Sequence, residues 1–296
     1  MNFWSKKLAS ALLALTFACL PLTNAWAARL ADPKAEHVFI VSFDGGKPTV
    51  MKESKMPCLN SLLPNSAYTW TAHTTLPSVT LVSHTSMLTG VGPAKHKILW
   101  NDWQPEHGLV KVPTIFSLAS AEKLSTAMFV GKQKFKHLAL AGSLSLFSLP
   151  DYHAKIVAQN AADYIVAKKP NLCFIHFADS DGAGHQYGWG SYQQKSAFAD
   201  EDEALATVLK AIEQAGIKDS SVVILTADHG GHGHTHGSSS PEDVNIPWIA
   251  TGEGVKKGLQ IDQPITTYDT AATALWLLGV PLPKEFDGHP VTAAFN

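Results

Sequence analysis

Three strand-length apolar runs constrain this chain most, because each one stops at side chains built for chemistry rather than packing. HVFIVSF runs into Asp44, NLCFIHFA into Asp179-Ser-Asp181-Gly-Ala-Gly-His185, and SVVILTA into Asp228-His229. Near-continuous apolar runs of this length fit strands buried on both faces of a parallel sheet. A fourth segment, PSVTLVSHTSMLTG, sets Thr80 at the head of a helical stretch. Strand ends hold side chains rigidly, and carboxylate with neutral imidazole is a donor set for hard and borderline cations. The pattern is that of a metal-dependent enzyme.

Helical spacing separates the runs, over 56–63, 81–88, 114–121, 151–168, 192–215 and 269–278, with Asp269 as an N-cap and Gly216 and Gly279 as stops. Further strands are expected at 125–130 and 246–251. Alternating strands and helices give an α/β fold with a central, mostly parallel β-sheet flanked by helices. Ligands in such sheets bind at the carboxyl ends of the strands, where Asp44, Asp181 and Asp228 converge. Without an internal repeat or a linker, residues 28–296 read as one catalytic domain.

The first 27 residues read as a signal peptide: Lys6 and Lys7, an apolar run over 8–22, then Ala25-Trp26-Ala27 as a small-x-small cleavage site. The run is short for a membrane span, so cleavage is favoured over an uncleaved anchor. The expectation is an exported protein, periplasmic or secreted. Cys58 and Cys173 would remain, and an exported compartment permits a disulfide. Cys173 sits inside an apolar run, however, and both read as free packing residues. A net charge of -2 offers no basic field for nucleic acid. Oligomeric state is not legible.

Local chemistry ranks the candidates. Asp228-His229 enters the glycine-rich loop GGHGHTHG, where the backbone can turn sharply beside a ligand. Asp181 and His185 are four apart, so one helical turn points both at one cation. Thr80 lies where a helix N-terminus favours an anion, although an ordinary cap is the plain reading. Thr74, Thr75, Ser78 and Ser83 compete with it on local grounds. His73, His84, His137 and His176 lack acid partners at ligand spacing and read as packed or surface residues. Asp287 and His289 read as stabilising a C-terminal turn.

The ordered set Asp44, Thr80, Asp181-x-x-x-His185, Asp228-His229 and a later His-Gly resembles the alkaline phosphatase superfamily. Within it, the chain is most similar to the type I phosphodiesterase and nucleotide pyrophosphatase family, from about His37 to Val291. The resemblance implies an alkaline-phosphatase-like sandwich and two divalent metal ions, with zinc as the expected metal. One ion would be held by Asp44, Thr80, Asp228 and His229, the other by Asp181, His185 and His236. His232 and His234 are the alternatives to His236. Thr89-Gly90 sets the register that makes Thr80 the nucleophile, and Asn101 would bind a phosphoryl oxygen together with a backbone N–H at the helix start. Lys97 and Ser83 depart from the family pattern, which bears on substrate rather than on the metal set.

The implied reaction is hydrolysis of a small-molecule phosphate ester or nucleotide through a phosphothreonine. Phosphodiesterase activity is the first reading, and phosphomonoesterase or phosphonate hydrolysis the second. Lys132 and Lys134 follow a strand; they belong to a solvated loop or reach the phosphoryl group. Trp100, Trp103 and Tyr187 are packing residues or stack on a leaving group. A sulfatase would need a modified Cys or Ser where Thr80 stands. A periplasmic zinc-binding protein using the His-rich loop would leave Asp44, Asp181 and Thr80 without a role.

Overall fold

The computed structural model describes Met1 and residues 34–296. The leader expected over 1–27 lies outside the described residues apart from Met1. Among the described residues eight strands form one sheet: β1 (His37–Phe43), β2 (Ser66–His73), β3 (Thr126–Phe129), β4 (Leu146–Ser148), β5 (Leu172–Phe177), β6 (Ser221–Ala227), β7 (Asn245–Gly252) and β8 (Leu259–Gln260). Their order is β4-β3-β5-β1-β6-β7-β2-β8. The β4-β3-β5-β1-β6 block is parallel throughout, while β7 pairs antiparallel with both β6 and β2. The α/β class with a mostly parallel sheet therefore holds. No strand is expected at β2, whose SAYTWTAH mixes small polar residues with two aromatics; it lies one strand in from the sheet's edge, with Thr71 and His73 exposed.

Among the described residues ten α-helices surround the sheet: α1 (Pro48–Glu53), α2 (Pro57–Leu62), α3 (Thr80–Thr89), α4 (Pro93–His96), α5 (Ile115–Ala121), α6 (Ala154–Lys168), α7 (Asp179–Tyr187), α8 (Tyr192–Gln214), α9 (Pro241–Val244) and α10 (Asp269–Leu277). The expected boundaries over α5, α6 and α8 fall within a few residues. Thr114 caps α5 in a reciprocal capping box with Ser117. Asp269 is the first residue of α10 rather than its cap, and its carboxylate accepts the N–H groups of Thr266 and His289.

Side-chain alternation along the strands divides the core in two. Val38 and Ile40 of β1, with Leu172 and Phe174 of β5 and Val222 and Ile224 of β6, pack in a core shared with α3, α5 and α10. Phe39, Val41, Phe43, Cys173, Ile175, Phe177, Val223 and Leu225 pack on the opposite side with α6 and α8. Continuing the alternation toward the carboxyl ends, the first face becomes polar: Ser42, His176 and Thr226 occupy the next positions, all fully buried. The register places Phe43 opposite both Phe177 and Ala227. Three central strands thus end level, and the residues that follow them meet in one place.

Cys58 and Cys173 are free. Burial pushes the Cys58 thiol up to about 11, with the Asp202 carboxylate adding to it, and burial pushes Cys173 higher still. Thiolate is the reactive form, so both should be inert. We expect iodoacetamide near neutral pH to spare both in the native protein and to label both after unfolding. Peptide mass mapping reads this out, and fast native labelling of Cys173 would contradict its place in β5.

Candidate active site

The three level strand ends deliver three buried carboxylates. Asp44 follows β1 and Asp228 follows β6, both fully buried, and Asp181 in the first turn of α7 is 5% exposed. Two donor groups result: Asp44, Asp228 and His229 in one, Asp181, His185 and His236 in the other, each with its ligand atoms within 4.8 Å of one another. His236 thus joins the second group. His232 and His234 take part in neither.

The hydrogen bonds of these residues leave lone pairs pointing inward. His229 Nδ1 faces Gly230 O at 2.8 Å, His236 Nδ1 faces Ser78 O at 2.9 Å, and His185 Nδ1 faces His234 O at 3.0 Å. A carbonyl can only accept, so each Nδ1 carries the proton and each Nε2 keeps its lone pair for the cluster. The carboxylates follow the same rule. Asp228 Oδ1 accepts from Gly45 N and His229 N, while Oδ2 is buried without a partner. Asp181 Oδ1 is likewise buried and unpartnered. Orphaned buried oxygens are costly, and each sits about 3.3–3.6 Å from imidazole nitrogens of its own group. The donor set fits a divalent cation in each group.

Burial and neighbouring charges divide the ionisation unevenly among these groups. Burial and the Asp44 charge push the Asp228 carboxyl above the ordinary carboxylate range. Burial would also raise Asp44, but Lys132, His176 and His229 outweigh it and hold that group well below the usual range. Burial lowers His236 to about 4, which keeps its imidazole neutral and able to ligate.

Thr80 opens α3, with Oγ1 at 3.4 Å from both Asp44 Oδ1 and His229 Nε2. Val79 precedes it in an extended conformation and makes no side-chain cap. Asn101 takes over the capping: its Oδ1 accepts Leu81 N–H at 2.9 Å and Lys134 Nζ at 3.1 Å. The Leu81 amide, one of the backbone N–H groups at the helix start, is thereby engaged, and the Asn101 amide nitrogen is left as the free donor beside Thr80.

Several contributors escaped the sequence. His84 and His176 are packed, as expected, but they also carry the site. His176 Nε2 donates to Asp44 Oδ2 at 2.8 Å, and His84 bridges Ser42 Oγ and Thr80 O at 2.8 Å each. The available signal was strand parity, since His176 and Ser42 share the face that turns polar toward the strand ends. Lys132 is no solvated-loop residue: its ammonium lies between Asp44 and Asp181. His232 Nδ1 donates to the buried Asp243 at 2.7 Å, and Asp243 also accepts Ser238 N–H, which closes the loop carrying His229 and His236. Trp100 and Trp103 pack on His137. Asp287 accepts Gly92 N–H and pairs with Lys95, pinning the segment that leads to Asn101.

One indole joins the loops. A Cβ on Gly45, Gly184 or Gly231 would lie 3.2, 2.9 or 2.2 Å from atoms of Trp189, and Trp189 Nε1 donates to Gly45 O. Only glycine admits the ring at Gly231 without displacing it.

A family model of type I phosphodiesterases / nucleotide pyrophosphatases matches residues 38–239. The chain belongs to that family. Structures of similar fold include murine ectonucleotide pyrophosphatase / phosphodiesterase 5 (TM-score 0.75, 15% identity, 88% of this chain and 100% of that one). A 2-O GAG sulfatase is also similar (TM-score 0.71, 17% identity, 88% of this chain and 74% of that one). Both place this phosphodiesterase-family chain in the alkaline-phosphatase-like fold. Curated relatives include GPI ethanolamine phosphate transferase 1 of Saccharomyces cerevisiae, 21% identical over 87% of this chain and 33% of the relative. Arylsulfatase K of Homo sapiens is 28% identical over 31% of this chain and 18% of the relative. The 2,3-bisphosphoglycerate-independent phosphoglycerate mutase of Brugia malayi is 27% identical over 67% and 40%. This phosphodiesterase-family chain thus spans well under half the length of these curated relatives. Among the described residues no helix is long and apolar enough to cross a membrane.

Behind Asp181, the fully buried Glu201 accepts Ser180 N–H and Oγ–H on Oε1, and its Oε2 has no partner. Burial and the nearby Asp179 charge raise its carboxyl well above the ordinary 4.5. The folded form therefore holds a proton that the unfolded form releases above that value, and stability falls as pH rises through the window above 4.5. We expect Glu201→Gln to melt higher than wild type at neutral pH, by roughly 2–4 °C per kcal/mol recovered, with the difference closing in mild acid. Calorimetric melts across that pH range check it.

Proposed function

We propose that this protein is an exported phosphoric ester hydrolase of the phosphodiesterase / nucleotide pyrophosphatase type, working through a phosphothreonine intermediate. The observation that carries this reading is Thr80 at the head of a buried helix, its hydroxyl 3.4 Å from both Asp44 Oδ1 and His229 Nε2 of one donor group, with Asn101 on the next amide of the helix. Asp44, Thr80, Asp228 and His229 would hold one divalent cation and Asp181, His185 and His236 the other, with zinc suited to the mixed imidazole and carboxylate set. Such cations supply positive charge that favours an ionised threonine and the departing ester oxygen.

The chain's own residues set the geometry. Thr80 Oγ1 attacks phosphorus in line, a Thr–O–P bond forms, and the ester P–O bond on the opposite side breaks. The leaving alkoxide takes up a proton from solvent. Water then attacks the phosphothreonine from the vacated side, releasing phosphate or a phosphate monoester and restoring Thr80. The Asn101 amide N–H donates to an equatorial oxygen, and its Oδ1, held by Leu81 N–H, fixes the direction of that donor. His84 anchors the carbonyl of Thr80 itself and so holds the first turn in place.

A second reading, a phosphomonoesterase or phosphonate hydrolase, draws on Lys134. Its ammonium is half-buried beside Asn101, with no carboxylate within 4 Å among the described residues, and would suit an additional negative charge on the substrate. Export rests on the leader read from the sequence, and a single catalytic domain over 28–296 on the absence of a linker there. N-terminal sequencing of periplasmic or secreted material is expected to find a mature chain starting near residue 28.

Thr80→Ala should retain two equivalents of metal and lose turnover by at least about 10³-fold; a near-normal rate would sink the nucleophile assignment. Asn101→Ala should lower kcat by about 10²–10³-fold with folding intact, the loss typical of a transition-state donor. A hydrolysis panel of bis-aryl and mono-aryl phosphates, a nucleotide pyrophosphate and phosphonoacetate decides the substrate class. A mono-aryl preference of about 100-fold, roughly 2.7 kcal/mol in transition-state binding, would replace the first reading with the second.

A further inference from the structure

Lys132 stands between the two donor groups. Its Nζ lies 2.7 Å from Asp44 Oδ2 and 2.6 Å from Asp181 Oδ2, and its side chain is 13% exposed. It touches one oxygen of each carboxylate and leaves the other. Asp44 Oδ1 faces His229 Nε2 at 3.4 Å, and Asp181 Oδ1 faces His185 and His236 at 3.4 and 3.6 Å without a hydrogen-bond partner. One carboxylate belongs to each group, so a single ammonium spans both.

The loop that carries Lys132 is itself tied to the site. Gly131 N–H donates to His176 Nδ1, and His176 Nε2 donates to the same Asp44 Oδ2. The end of β3 therefore holds Asp44 through two routes, a charge and an imidazole. Two buried carboxylates from separate elements repel one another at short range in a medium of low polarity. A fixed cation on their outer oxygens offsets that repulsion without occupying the inner ones.

We propose that Lys132 is a positioning residue, a tethered cation that braces the two groups: it holds Asp44 and Asp181 together in the metal-free protein and opposes metal binding electrostatically. This rests on the two-cation reading above. The two effects share one coupling free energy, because a charge that substitutes for the metal in stabilising the fold must weaken the metal's own binding by the same factor. A side chain that merely packed would stabilise the metal-free and metal-loaded forms alike.

The test compares wild type with Lys132→Met, which keeps the stem and removes the charge. Thermal melts are recorded after chelation and at saturating zinc, and zinc affinity is measured by competition with a chromophoric chelator. The expected result is a variant that melts well below wild type when metal-free, approaches it when zinc-loaded, and binds zinc at least about 10-fold tighter. An equal melting gap in both conditions, or zinc binding unchanged or weaker, overturns the proposal. Should Lys132→Met fail to fold without metal, refolding on zinc addition supports the brace and failure to refold overturns it. Wild type taking up fewer than two zinc equivalents would instead remove the two-cation reading, and the brace with it.

Discussion

The rest of this structure depends on burying three carboxylates side by side. Asp44, Asp181 and Asp228 converge because β1, β5 and β6 are parallel neighbours that end in register. A parallel sheet makes this arrangement easy to reach, since adjacent strands present the same end to the same side. It also makes it expensive, because like charges in a dry interior raise one another's energy. The surrounding residues read as the response: the Lys132 ammonium, the His176 and His84 imidazoles, backbone N–H donors at Gly45 and His229, and inward lone pairs on three further histidines.

The polar layer beneath the site follows from the same requirement. Along β1, β5 and β6 the face toward α3 is apolar until the last position, where Ser42, His176 and Thr226 replace Val, Ile, Leu or Phe. The site thus begins inside the sheet, one layer below the residues that face the substrate. His84 connects this layer to the nucleophile, with Ser42 on one ring nitrogen and the carbonyl of Thr80 on the other.

Much of this was legible in the sequence because the strands are written as unbroken apolar runs and their ends as acids and imidazoles. HVFIVSF and SVVILTA are observed as β1 and β6 over the same residues that their composition marks. The family's ordered motif named the seven candidate ligands, which no spacing rule could have joined across 36 to 236. What the sequence hid was partnership at long range. Lys132 looks like any loop lysine until the fold sets it beside Asp44 and Asp181, and His176 looks like a core histidine until its ring meets Asp44. β2 was missed because its pairing with β7, not its own pattern, makes it a strand.

Trp189 ties the loops in a way that sets how this site can change over time. Its ring fills space that β-carbons on Gly45, Gly184 and Gly231 would claim; Gly45 adjoins Asp44, Gly184 adjoins His185, and Gly231 lies two residues past His229. A methyl group gained at Gly231 would displace the indole, and one at Gly184 would crowd it. Variation there is coupled: a side chain at Gly231 calls for a smaller residue in place of Trp189. Diversification is left to segments that do not share the ring, such as the exposed stretch around Leu99.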